Sequence, residues 1–221
     1  MNYVELLQRL SALDSCGVSD ALDSFGLSGV ADGLERRSTR EKVVGRVRTM
    51  KLAAGLPLEG SRTHLGTRSI EEAKDTDVIV VEQKTGIRAA CWGGVLSHAA
   101  KQRGIRGIVV EGPVRDVDEF REVGMPVFSR DITPTTARGR IHEAAINVDV
   151  EIGNVTVSPG DLVIADGTGV VFIPADAAEA IVAAAEKIVA RESLMVDAVH
   201  GGEEITKVMG KDYETMLGTQ D

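Results

Sequence analysis

The sequence predicts a mixed α/β domain with terminal helices, and three observations carry that expectation. Residues 77–83 (DVIVVEQ), 107–112 (GIVVEG) and 125–130 (MPVFSR) are short apolar runs, the pattern of strands buried on both faces. Segments with helical spacing separate them, giving the strand–helix–strand–helix–strand order of parallel crossovers. Aromatic residues make up only 3% of the chain. The core is therefore expected to rest on Val, Ile, Leu and Ala.

The elements follow in order. Residues 2–13 predict a helix, with Val4, Leu6, Leu7, Leu10 and Leu13 as a broad apolar stripe. VSDALDSFG predicts a second, short helix capped by Ser15 or Ser19 and ended by Gly26. Residues 43–53 alternate as a strand does. A loop over 55–68 leads to a short helix near Ile70–Ala73, then to strand 77–83, and Ala89–Trp92 predicts another short strand. Gly93-Gly94 opens a helix, VLSHAAKQRG, that Gly104 stops. After strand 107–112, the loop PVRD leads into a helix, VDEFREVG, and strand 125–130.

Beyond Pro134 the pattern changes. Residues 146–157 predict a β-hairpin turning near Gly153-Asn154. Residues 162–174 predict two strands around Asp166-Gly167, and 175–199 a long helix broken by HGG at 200–202. The tail 203–217 predicts a short helix. With no repeat or linker, residues 1–221 are expected to form one domain, with a core of about 15–195 and a helical tail of about 196–221.

Composition narrows the function classes. A net charge of −9 gives no global basic field for nucleic acid, although a local Arg can still bind a small anion. Cys16 and Cys91 show neither metal-ligand nor disulfide spacing. The amphipathic start, MNYVELLQRLSALDS, lacks a signal-peptide pattern. No run approaches the roughly 18 apolar residues of a membrane span. A cytoplasmic protein is expected.

The chemistry concentrates between Gly93 and Glu119. Two glycines between a strand and a helix leave the first-turn N–H groups free and let an anion approach closely. Read alone, this is equally a tight turn. It is neither a dinucleotide fingerprint nor a P-loop. Arg115 and Asp116 follow a strand, at the sheet edge where α/β proteins bind ligands. An Arg fork matches a carboxylate, and an Asp beside it can ligate a hard cation. Asp118 and Glu119 lie within one helical turn, where they hold metal-bound water or favour the helix N-terminus. Alone, an Arg-Asp pair is usually a surface ion pair. The glycine turn places a second carboxylate-binding group on the same edge.

The run WGGVLSHAAKQRGIRGIVVEGPVRDVDEF resembles the RraA-like family. That family includes the class II 4-hydroxy-4-methyl-2-oxoglutarate/4-carboxy-4-hydroxy-2-oxoadipate aldolases and the regulator of ribonuclease E activity. Its members have also carried the label demethylmenaquinone methyltransferase. The family motif is an acidic or glycine position, twenty residues, Arg-Asp, two residues and an acid, which Gly94, Arg115, Asp116 and Glu119 match. VSDALDSFG, VVGRVRTMKL, CWGG and VTVSPGDLVIADGTGVVFIP extend the likeness over roughly residues 15–195.

The resemblance implies a swivelling β/β/α-type fold assembled as a homotrimer or a homohexamer. It implies a divalent metal, Mg²⁺ or Mn²⁺, bound directly by Asp116, with Glu119 reached through water. A glutamate from a neighbouring subunit's C-terminal region also serves the metal's water shell, and Glu192 is the candidate for it. Arg115 grips the substrate carboxylate or the developing enolate charge. The Gly93-Gly94 turn and the N–H groups of Val95 and Leu96 hold the carboxylate. Gly94 departs from the well-studied aldolases, which carry an acid there.

The implied reaction is retro-aldol cleavage or oxaloacetate decarboxylation through a pyruvate enolate. Lys101, on an exposed helix face, does not suit a Schiff base. The alternative is a non-catalytic regulator that binds a ribonuclease. A methyltransferase is disfavoured, because no glycine-rich S-adenosylmethionine loop follows an early strand. Elsewhere, His64 is a loop residue able to face the site and His98 is expected on the surface. His142 and His200 suggest nothing. Asp20 reads as a helix-start residue, Asp166 as a turn former and Cys91 as a small buried residue.

Overall fold

The computed structural model describes residues 3–57 and 63–210. It opens with α1 (Tyr3–Ser11) and α2 (Ser15–Ser24), followed by β1 (Val30–Ala31), β2 (Glu35–Arg36) and β3 (Val43–Ala54). Next come α3 (Thr67–Glu72), β4 (Asp77–Glu82), α4 (Gly94–Gln102), β5 (Gly107–Val114), α5 (Val117–Val123) and β6 (Val127–Ile132). The remainder is β7 (Ile141–Ile146), β8 (Val150–Ile152), β9 (Val155–Val157), β10 (Leu162–Ala165), β11 (Val170–Ile173), α6 (Ala178–His200) and α7 (Ile205–Val208).

The main sheet runs β1-β11-β10-β3-β4-β5-β6-β2, and β7 pairs with the far half of β3. Strands β3 to β6 are parallel, as the crossover pattern predicts. β1 and β2 lie at opposite ends of this order, yet only residues 32–34 join them. A link that short reaches roughly 14 Å when extended, so the sheet has to curl. Arg130 on β6 reaches across to the Asp32 carbonyl (2.8 Å).

Alternation along the strands sorts the core. Val78 and Val80 of β4 join Val47, Phe128, Val163 and Phe172 in one buried cluster. Ile79 and Val81, on the opposite face, pack with Ile70 of α3, Leu96 of α4 and Phe120 of α5. On that same face Leu162 and Ile164 of β10 pack with Leu10 of α1, Leu22 of α2 and Ile181 of α6. The β8–β9 hairpin covers the first cluster with Val150, Ile152, Val155 and Val157. Two buried carboxylates fix the hairpin there. Glu82 accepts from the Glu151 N–H (2.6 Å), and Glu111 accepts from the Gly153 N–H (2.7 Å).

The observed architecture is the expected mixed α/β fold with helices at both ends. Several local expectations are corrected. α2 begins at Ser15 and is capped by Asp14, whose carboxylate accepts from the Gly17 N–H (2.8 Å), not by Ser15 or Ser19. Asp20 consequently lies inside the helix and does not start it. Ala89–Trp92 is no strand: Ala90 makes a single bridge to Thr136, while Cys91 donates its N–H to the Pro113 carbonyl, so no one neighbour runs alongside. β5 continues through Gly112 and Pro113 across a register shift against β6, which brings Arg115 directly to the strand end. α6 starts at Ala178. The predicted tail helix is α7, and residues 211–217 of that expectation lie outside the described residues. No helix among the described residues is long and apolar enough to cross a membrane.

Candidate active site at the glycine turn

The crossover from β4 to β5 sets α4 beside the end of β5, because the Trp92 carbonyl accepts the Arg115 N–H (3.0 Å). This backbone bond joins the glycine turn to the Arg-Asp pair. Beside it lies a cavity of about 200 Å³. Its wall includes His64, Gly93 to Leu96, Arg115, Asp116 and Arg138.

Asp116 occupies the N-cap position of α5 but does not cap it. Its backbone is left-handed, with φ 61° and ψ 41°, a conformation that Asp tolerates better than most residues. The side chain instead turns back to α4, where Asp116 Oδ2 accepts the Gly94 N–H at 2.9 Å. Arg115 Nε stands 3.3 Å from the same oxygen, and both side chains are 38% exposed. Such a pair adds little stability. Its value is positional, since Asp116 Oδ1 has no hydrogen-bond partner among the described residues and is left for a ligand.

The glycines leave room for the side chains that lie over them. A Cβ on Gly93 would fall 2.8 Å from Asp116 Oδ2 and 3.2 Å from Arg115 Nε. A Cβ on Gly94 would collide with the Glu119 carboxylate. Glu119 occupies the space beside Gly94, and its Oε1 lies 3.1 Å from His98 Nε2. The glycine turn and the Arg-Asp-x-x-Glu motif form one constellation.

The α4 N-terminus supplies the anion-binding element. The first bond back to the turn is from Ser97 N–H to the Gly93 carbonyl (3.1 Å). Gly94 gives its N–H to Asp116, while the N–H groups of Val95 and Leu96 have no partner among the described residues. Two orphan donors of a helix terminus therefore sit in the cavity wall.

Among the described residues no group of three or more His, Cys, Asp or Glu gathers as a metal cluster. The pocket offers a cation one open carboxylate, Asp116, with Glu119 close by. That donor set suits Mg²⁺, which binds oxygen through one or two carboxylates and keeps several waters. It does not suit zinc, whose sites gather three or four protein ligands.

The other expected residues fall as follows. Asp118 is exposed and pairs with Arg121 (2.8 Å), away from the cavity wall. His64 lines the cavity and sits 2.8 Å through Nδ1 from the Leu65 carbonyl. Lys101 donates to the Gly124 carbonyl (2.7 Å), outside the cavity. Cys91 is fully buried, and burial pushes its thiol up to about 12, so it is inert. Asp166 is structural, accepting from the Ser15 N–H and hydroxyl at 2.8 Å each. Glu192 lies on α6, where burial first and then Asp20 and Asp14 raise its pKa. Within the chain it stands apart from the cavity, and its expected role is one made across a subunit boundary. His98 is exposed, as expected, and among the described residues reaches only Glu119 at the turn. Sequence reasoning missed Arg138, which lines the cavity from a distant loop that offered no signal.

The family described as Aldolase/RraA (RraA-like) matches residues 15–172. Protein DlpA of Legionella pneumophila is 34% identical over 179 residues, which cover 80% of this chain and 29% of that protein. The chain thus spans less than a third of this relative's length. A putative 4-hydroxy-4-methyl-2-oxoglutarate aldolase of Halalkalibacterium halodurans is 30% identical over 184 residues, 83% of each chain. RraAS2 of Streptomyces coelicolor, described as an unusual member of the RNase ES inhibitor RraA protein family, superposes with a TM-score of 0.76. The two share 29% identity, and the match covers 86% of this chain and 94% of RraAS2.

Proposed function

The chain belongs to the RraA-like family, and from that premise we propose that it is a divalent-metal-dependent carbon–carbon lyase acting on small 2-oxo acids. One observation carries this reading: Arg115, the open carboxylate of Asp116 and the unpaired N–H groups of Val95 and Leu96 share one small cavity. The reactions that fit are retro-aldol cleavage of 4-hydroxy-4-methyl-2-oxoglutarate-like substrates and decarboxylation of oxaloacetate. The name of the Halalkalibacterium relative supports the first.

Asp116 would hold the cation, Mg²⁺ or Mn²⁺, directly, and Glu119 would serve it through water. When bound, the cation supplies Lewis acidity to the substrate's 2-oxo group. The N–H groups of Val95 and Leu96 bind the substrate carboxylate at the α4 N-terminus. The Gly93-Gly94 turn lets that carboxylate come close to the backbone. Arg115 places fixed positive charge beside the 2-oxo fragment, which keeps the electron pair of the broken carbon–carbon bond. The side chain of Val95, 82% exposed, forms an apolar lip to the cavity.

In this reading the chain acts as one domain and as a homotrimer or homohexamer, with Glu192 serving a neighbour's site. The apolar residues exposed on late α6 and on and just after α7, Leu194, Val196, Val199, Ile205 and Met209, support self-assembly. The test is a lyase screen over 4-substituted 2-oxo acids with and without Mg²⁺ or Mn²⁺. Metal-dependent pyruvate release is expected, and its absence from every substrate sinks the reading. The likeness to RraAS2 favours a second reading, a non-catalytic regulator that binds a ribonuclease. Stoichiometric ribonuclease binding by a chain inert in that screen would establish it.

A further inference from the structure

Arg138 lines the same cavity as Arg115, yet its guanidinium has no ion pair or hydrogen bond among the described residues. Arg115 and several other arginines, Arg37, Arg48, Arg88, Arg121 and Arg130 among them, have a carboxylate partner. Arg138 is exposed, and what sets its unpaired guanidinium apart from other arginines without a carboxylate partner is its place in the wall of this cavity.

The backbone beneath Arg138 is fixed. Its N–H donates to Thr136 Oγ1 at 3.3 Å. The Ala137 carbonyl closes the turn by accepting from Arg140 (2.9 Å) and Ile141 (3.1 Å). Thr136 is bridged to Ala90 on the segment that runs into Gly93, so the turn's place relative to the glycines is set. The loop holds a cation in the cavity wall and gives it nothing to bind.

A carboxylate at the α4 N-terminus and Arg115 would satisfy one end of the cavity. Arg138 is a second cationic group, and only a ligand with a second anionic end would use it. We infer that Arg138 is a specificity-determining residue that receives the distal carboxylate of a dicarboxylic 2-oxo acid. This rests on the oxo-acid reading of the site and adds to it how the pocket separates a diacid from pyruvate. An Arg fork suits that task because it matches a carboxylate in plane.

The experiment is titration calorimetry in Mg²⁺ with two probes, pyruvate and 2-oxoglutarate, which share a 2-oxo acid head and differ by the distal carboxylate. The protein is used as the wild type and as Arg138→Gln and Arg138→Lys. The wild type is expected to favour 2-oxoglutarate by about tenfold or more, the scale of one charged hydrogen bond. Arg138→Gln removes that preference, with far less change for pyruvate, and Arg138→Lys restores part of it. A wild type without preference, equal losses for both probes, or no binding of either overturns the inference. The lyase screen fails separately: altered preference without turnover leaves Arg138 standing, and turnover with unaltered preference removes Arg138 alone.

Discussion

The Glu119 carboxylate fills the space that a side chain on residue 94 would need. Gly94 lies outside the left-handed region and opens α4, so alanine is permitted there and gains up to about 1 kcal/mol in helix propensity. The obstacle is the flexible end of a half-buried glutamate, which can swing away. Gly94→Ala is therefore expected to keep its melting temperature within a few degrees, as a change of about 1 kcal/mol implies. It should weaken Mg²⁺ binding severalfold and lower turnover by about tenfold, through displaced Glu119. Calorimetry with Mg²⁺ and a thermal melt check this. A large drop in melting temperature with full turnover contradicts it.

Asp116 separates stability from activity. Its φ of 61° costs about 1 kcal/mol relative to glycine. Asp116→Gly relieves that cost but removes the bond to the Gly94 N–H, worth about 1.5–3 kcal/mol for a charged acceptor. The two effects partly cancel, so denaturation should show a net loss of no more than about 2 kcal/mol. Turnover should fall by at least about a hundredfold, as loss of a metal ligand implies. Full Mg²⁺-dependent turnover in Asp116→Gly would refute the assignment of the metal ligand.

Asp166 sets a pH dependence far from the cavity. Burial raises its pKa, but the N–H groups of Ser15 and Thr168 and the Ser15 hydroxyl outweigh burial and hold it below the ordinary 3.8. A carboxyl with a lowered folded-state pKa contributes stability that is present above 3.8 and lost as pH falls through the lowered value. Asp166→Asn should cost about 1–3 kcal/mol at pH 7. The gap from wild type should narrow below about pH 4. Urea melts at pH 7 and pH 3 measure it, and a gap independent of pH would contradict the assignment.

The parallel crossovers and the Gly93–Glu119 constellation were legible because each is local and strongly patterned. β4 and β5 are apolar runs bounded by breakers, and the family motif has fixed spacing. β1 and β2 have two residues each, too few to show a period, and only closure of the curled sheet makes them strands. β7, with burial mixed along IHEAAI, carries no clean alternation and is defined by pairing with β3. The start of α2 differs from the expectation because Asp14, one residue before Ser15, is placed to accept the Gly17 N–H. Arg138 reaches the pocket through a loop whose position depends on one bridge from Thr136 to Ala90, which no local pattern encodes.

The pair Arg130–Glu111 provides a prediction about the frame behind the site. Glu111 is 8% exposed and lies 2.5 Å from Arg130 Nε, while its other oxygen accepts the Gly153 N–H at 2.7 Å. Arg130→Ala leaves a buried carboxylate without its counter-charge, an event that costs about 3–5 kcal/mol. Glu111→Gln in the same chain removes the charge but keeps an oxygen for Gly153. The double variant should therefore recover a substantial part of the loss, about 1–3 kcal/mol. Urea denaturation gives both values, with unchanged slope expected because the folded state keeps its buried surface. If Arg130→Ala costs less than about 1 kcal/mol, the pair is an ordinary surface contact, and docking of the β8–β9 hairpin rests on its apolar face and the Glu82 and Glu111 hydrogen bonds without Arg130.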